Sequence, residues 1–147
     1  MLKVLIAEDQ LLIADMAEYA LVEVGYEVCG IARTVAEAVA LGRFHKPDLA
    51  FIDMRLADGG IGTEIVAQLS PQGRLGVLYA TGDRSQFGLT AANGDACLTK
   101  PYSSEDLVRG MAIVAGIVAT GTAAPPVPPG FHVLPPGAIQ DRELARE

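Results

Sequence analysis

Short apolar runs alternate with longer stretches of helical spacing along most of this chain. The clearest run is Leu49-Ala50-Phe51-Ile52, introduced by Pro47 and ending on Asp53. It is continuous rather than alternating, which marks a parallel strand covered on both faces. Gly59-Gly60 closes the turn behind it. Leu2 to Ala7 reads as a first strand and ends on Glu8-Asp9. Leu11 to Val24 has helical spacing, with Leu12, Met16, Tyr19 and Ala20 on one face, and Gly25 stops it. Tyr26 to Ala32 is a second strand. Thr34 with Glu37 three residues on is a capping box for a helix running to about Phe44. After the strand that ends on Asp53 come a helix over Ile61 to Leu69, a turn at Pro71-Gln72-Gly73 and a strand over Leu75 to Ala80. Ser85 to Asn93 has Gly88 and Thr90 and few strong helix formers, so a short or loose element is expected there. Asp95 to Thr99 is a fifth strand. Ser103, with Asp106 three residues on, caps a last helix to about Thr120.

Strand and helix therefore alternate five times, and each helix has the length of a right-handed crossover between parallel strands. The expected architecture is a doubly wound α/β domain over residues 1–120, with a five-stranded parallel sheet of order 2-1-3-4-5. Its ligand crevice lies at the carboxyl ends of the strands, where strands 1 and 3 are neighbours. This order also separates Cys29 on strand 2 from Cys97 on strand 5, too far apart for a disulfide within one chain. From Gly121 onward the composition shifts, and six of the 9 prolines lie between Pro125 and Pro136. Residues 121–147 read as an extended, Pro-rich C-terminal tail without a core of its own.

Composition narrows the function. With 147 residues, 50% hydrophobic and 20% charged, the chain has enough apolar surface for one core. A net charge of −7 with 11 scattered Lys and Arg argues against a nucleic-acid surface. No run is long and apolar enough for a membrane span, and no signal peptide is read at Met1, so a cytoplasmic protein is expected. The cysteines show neither metal nor redox spacing and read as buried apolar residues.

The strand ends carry the chemistry. Strand 1 delivers Glu8 and Asp9, strand 3 Asp53, strand 4 Thr81 and strand 5 Lys100. Taken singly each has a bland reading: helix-dipole charges, a turn residue, a solvated lysine. Their arrival at one rim is what matters. Carboxylates about 4 Å apart repel by about 4 kcal/mol per pair at an effective dielectric near 20. Protonation or a divalent cation offsets that repulsion, and oxygen donors without His or Cys suit a hard ion, Mg2+ or Mn2+. A carboxylate with a metal, a lysine and a hydroxyl around it is a phosphoryl-accepting site.

These motifs resemble the receiver domain of two-component response regulators. The resemblance covers Leu2 to Thr120 and rests on Glu8-Asp9, Asp53, Ala80-Thr81-Gly82 and Lys100-Pro101-Tyr102. It implies that Asp53 accepts a phosphoryl group, that Asp9, Asp53 and the main-chain carbonyl of Arg55 bind Mg2+, and that Glu8 acts through metal-bound water. It assigns Lys100 and Thr81 to the phosphoryl oxygens. The implied donor is a sensor histidine kinase or phosphotransfer protein, and the domain catalyses its own phosphorylation and dephosphorylation. The signal would then pass on by conformational change, without a DNA-binding output domain.

Three positions depart from the family pattern. Cys97 stands where an aromatic switch residue is common, and Ala57 where a proline often follows the acceptor. Tyr79-Ala80-Thr81-Gly82-Asp83 is similar to the stand-alone Phe-Ala-Thr-Gly subset paired with HWE-type histidine kinases. Without an aromatic ring, the signal is expected to pass through ordering of the segment between Gly82 and Gly94. The alternative function is a phosphorylation-independent interaction scaffold. A phosphohydrolase is disfavoured, because no aspartate pair of the required spacing follows strand 1, and a flavodoxin is disfavoured by the lack of a phosphate loop there. The apolar run from Met111 to Ala119 on the last helix has two readings, a homodimer or partner face and a seat for the tail through Phe131 and Val133.

Overall fold

The computed structural model describes residues 1–70, 73–82 and 88–136. The elements are β1 (Lys3–Ala7), α1 (Leu11–Glu23), β2 (Glu27–Ala32), α2 (Val35–His45), β3 (Leu49–Asp53), α3 (Gly62–Leu69), β4 (Gly76–Thr81), β5 (Ala96–Thr99), α4 (Ser104–Thr120) and β6 (Phe131–Val133). The expected strands and capped helices are present within a residue or so of their expected ends. Thr34 and Ser103 cap α2 and α4 through their hydroxyls, accepting from the Glu37 and Asp106 amides at 3.1 and 3.0 Å.

The sheet order is β2-β1-β3-β4-β5-β6, with β1 to β5 parallel. The expected five-stranded sheet thus carries a sixth strand, antiparallel to β5 and drawn from the Pro-rich segment after α4. β3 is buried along its whole length. Leu49 and Phe51 point to the layer of α1 and α4, and Ala50 and Ile52 to the layer of α2 and α3. Such two-sided burial contributes about 1.5–3 kcal/mol for each large side chain, and it is why the run lacks alternation.

α1 has the expected periodicity but seats a different face. Ala14, Ala17, Ala20 and Leu21 are buried, whereas Leu12, Met16 and Tyr19 are 85%, 46% and 70% exposed. The alanines let the helix lie close to the sheet, and the larger side chains are left outside. Gly25, with φ +103, ends it as expected.

Pro71-Gln72 and the stretch 83–87 lie outside the described residues, so the expected turn and the expected loose element are described only in part. Residues 88–95 form turns rather than a helix. The Tyr79 hydroxyl donates to the Asn93 carbonyl at 2.6 Å, and Asn93 Oδ1 accepts from the Thr90 amide at 2.9 Å. Cys29 and Cys97 are both free and sit on β2 and β5 with β1, β3 and β4 between them. The apolar face of α4 is met by the following segment: Phe131 is buried and packs at Gly110. No helix among the described residues is long and apolar enough to cross a membrane.

Candidate functional site

Parallel pairing in register brings the carboxyl ends of β1, β3, β4 and β5 to one rim. Ala7 pairs with Ile52, Asp53 with Ala80, and Thr81 with Thr99. Glu8 and Asp9 follow directly on β1. The Lys100 amide donates to the Thr81 carbonyl at 2.8 Å, which ties the β4 and β5 ends together. The Lys100-Pro101 peptide is cis.

Four of the five side chains singled out from the sequence meet, and Thr81 ends the strand beside them. One carboxylate oxygen from each of Glu8, Asp9 and Asp53 lies within 4.8 Å of the others. Lys100 Nζ is 2.9 Å from Asp53 Oδ2, with the Asp53 side chain nearly enclosed. The other Asp53 oxygen accepts the Arg55 amide at 3.2 Å. Thr81 is buried at the end of β4, and Arg55 belongs to the loop immediately after β3, where it bridges to Ile61.

Glu8 is the most deeply buried carboxylate of the group. It is 1% exposed. Oε2 accepts the Gln10 amide at 3.1 Å, whereas Oε1 is buried without a hydrogen-bond partner among the described residues. Burial, followed by the Asp53 carboxylate beside it, lifts its pKa from 4.5 to about 7 against the opposing pull of the Gln10 amide and Lys100. A buried oxygen acceptor without a donor, in a ring of carboxylates, fits a hard divalent cation.

The loop after Asp53 is built around backbone. The Gly62 amide donates to the Met54 carbonyl at 2.9 Å, and a Cβ on Gly62 would come within 2.6 Å of Ile52 Cγ2 and 2.7 Å of the Asp53 carbonyl oxygen. Ala57, the position where a proline is common, uses its amide to bond the Arg33 carbonyl at 3.0 Å. A proline there would forfeit that tie between the loop and the end of β2.

Two features were not legible beforehand. Gly62 carried no signal beyond being a glycine near a turn. Tyr102 appeared only as part of a motif; its ring stacks edge-on against Phe51, with centroids 5.7 Å apart, and its buried hydroxyl lacks a hydrogen-bond partner among the described residues. Burial, with the Glu8 and Asp53 charges, pushes the phenol well above its usual pKa.

The response regulator receiver domain family matches residues 4–112, and the chain belongs to that family. It is 37% identical over 111 residues to the transcriptional regulatory protein PdtaR of Mycobacterium tuberculosis, spanning 72% of this chain and 53% of that protein. It is 36% identical over 86 residues to the phyllosphere-induced regulator PhyR of Methylorubrum extorquens, spanning 58% of this chain and 32% of that protein. Among solved structures it resembles the anti-anti-sigma factor PhyR of Bartonella quintana, with a TM-score of 0.69 and 30% identity over 82% of this chain and 50% of that one. It also resembles the signal receiver domain of a modulated diguanylate cyclase from Desulfovibrio desulfuricans, with a TM-score of 0.70 and 27% identity over 83% of this chain and 99% of that one. The chain spans about half the length of PdtaR and a third of PhyR.

Proposed function

We propose that this receiver is a phosphoacceptor, taking a phosphoryl group onto Asp53 from a phosphohistidine on a sensor histidine kinase or phosphotransfer protein. The observation that carries this reading is the enclosed Asp53 carboxylate, 2.9 Å from Lys100 Nζ and grouped with Glu8 and Asp9. An Asp53 oxygen attacks phosphorus as the histidine N–P bond breaks, and the histidine nitrogen departs with the bonding pair. Lys100 is a point cation placed to follow the charge from the carboxylate to a phosphoryl oxygen. The Thr81 hydroxyl, at the end of the neighbouring strand, donates to another. Asp9, Asp53 and the Arg55 carbonyl would hold Mg2+, with Glu8 acting through its bound water. When bound, Mg2+ offsets the carboxylate charge and polarises the incoming phosphoryl oxygens. The Tyr79-Ala80-Thr81-Gly82 stretch supports an HWE-type kinase as the donor class. A cytoplasmic location follows from such a donor.

Intact-mass measurement after incubation with acetyl phosphate tests the reading. A phosphoryl adduct that needs Mg2+ and disappears in Asp53→Ala is the expected result. Mg2+ binding without any adduct, from acetyl phosphate or from a phosphohistidine donor, would favour a phosphorylation-independent scaffold.

A further inference from the structure

The segment after α4 is tied into the domain at both ends. It turns back at Gly121, with φ +84. Arg109 on α4 then grips its backbone, Nε donating to the Pro126 carbonyl at 2.9 Å and Nη2 to the Ala124 carbonyl at 2.8 Å. At the rim, the Gly130 carbonyl accepts the Thr99 amide at 2.9 Å. β6 runs down β5 from there, pairing Phe131 with Leu98, His132 with Cys97 and Val133 with Ala96. At the far end the Leu134 amide donates to the Asp95 carbonyl at 3.0 Å, and the Ala91 amide to the Pro135 carbonyl at 2.7 Å. Phe131 and Leu134 are 6% and 5% exposed, and Leu134 joins the cluster of Tyr79, Leu89 and Cys97.

This strand meets the acidic site through one residue. Thr99 donates to Gly130 on one side and pairs with Thr81 on the other. The next residue is Lys100, whose amide bonds Thr81 and whose ammonium contacts Asp53. A phosphoryl group on Asp53 would take the space that the ammonium now contacts and shift Lys100. The β4 and β5 ends, joined at Thr81, Thr99 and Lys100, adjust together. The start of β6 does not follow, because Arg109 anchors its lead-in to α4. The mismatch falls on the Thr99–Gly130 bond. A three-residue edge strand with one buried side chain, Phe131, is the kind of element that opens far below global unfolding.

We infer that β6 is a strap released from the β5 edge when Asp53 carries a phosphoryl group. The opened edge presents the backbone of Ala96–Thr99 and the apolar seats of Phe131 and Leu134. In this receiver the strap over Cys97 does the work left undone by the missing aromatic ring. The inference deepens the proposed function and rests on Asp53 being the acceptor.

Amide hydrogen exchange, read residue by residue with Mg2+ in the presence and absence of beryllofluoride, tests it. With beryllofluoride bound, the His132 and Leu134 amides exchange about tenfold faster or more, while β1 and β3 are unchanged. By linkage, strap release raises beryllofluoride affinity by at most the same factor. His132→Pro removes a ladder amide at an exposed side chain, so it loosens the strap without touching the core. It is expected to bind beryllofluoride about threefold to tenfold more tightly. Unchanged or slower exchange with beryllofluoride bound, or weaker binding by His132→Pro, would overturn the strap alone. Failure of the unaltered protein to bind beryllofluoride, together with no acetyl phosphate adduct, would overturn the acceptor reading and the strap with it.

Discussion

Replacing Glu8 by glutamine separates charge from shape at the most enclosed carboxylate of the site. Glutamine keeps an oxygen to accept the Gln10 amide, now 3.1 Å from Oε2. What it removes is a charge that the fold holds poorly. Burial and the adjacent Asp53 raise the Glu8 pKa from 4.5 to about 7. The folded protein therefore binds this proton more tightly than the unfolded chain does. Glu8 contributes its full share of stability below about pH 4.5 and loses it as the pH rises through 7. Such a shift corresponds to at most about 3 kcal/mol, and to about 1–2 kcal/mol once the surroundings relax around the ionised carboxylate. Denaturant titrations in EDTA at pH 5 and pH 8 read the difference. Glu8→Gln should match the unaltered protein at the lower pH and exceed it by about 1–2 kcal/mol at the higher. Adding Mg2+ at pH 8 should close the gap from the unaltered protein's side, because the cation replaces the missing proton. Equal stability of the two proteins at both pH values would refute the reasoning.

Other predictions follow from the same geometry. Gly62→Ala should cost about 1–3 kcal/mol in thermal or chemical denaturation, because its Cβ has no room beside the Asp53 carbonyl. Gly116→Ala in α4, where nothing lies within 4 Å, should gain about 0.5–1 kcal/mol in the same assay. Arg74→Ala should cost under about 1 kcal/mol and less in high salt, since its 2.6 Å ion pair with Asp95 is half exposed. Asp95→Ala should cost about 1–3 kcal/mol and keep most of that cost in salt, because Asp95 also accepts the Val77 amide at 2.8 Å. Tyr102→Phe should leave stability unchanged or raise it by up to about 1 kcal/mol, since the edge contact with Phe51 stays and a buried hydroxyl without a partner goes.

The strands and the rim were legible because they rest on local signals. Leu49 to Ile52 is apolar on both faces since β3 is central, and each site residue directly follows an apolar run. Parallel order then places Glu8, Asp9, Asp53, Thr81 and Lys100 together without any long-range information. The less legible parts depend on packing between distant segments. Leu12, Met16 and Tyr19 look like a core stripe, yet Ala14 and Ala17 take the sheet because small side chains permit the closer approach. β6 lies between four prolines and two more and spans three residues, too few to show a period. Its strand state depends on the free edge of β5 and on the Arg109 grip, neither of which is written locally. Gly62 depends on a backbone carbonyl nine residues away, at Asp53.

The acceptor itself is tested most directly by trapping the acyl phosphate. Treatment with acetyl phosphate and Mg2+, then borohydride reduction and peptide mapping, converts a phosphorylated aspartate into homoserine at its own position. Homoserine at position 53, absent when Mg2+ is withheld, is the result predicted. Homoserine at position 9 instead, or none at all from a protein that binds Mg2+ and has been offered a phosphohistidine donor as well, would contradict the account.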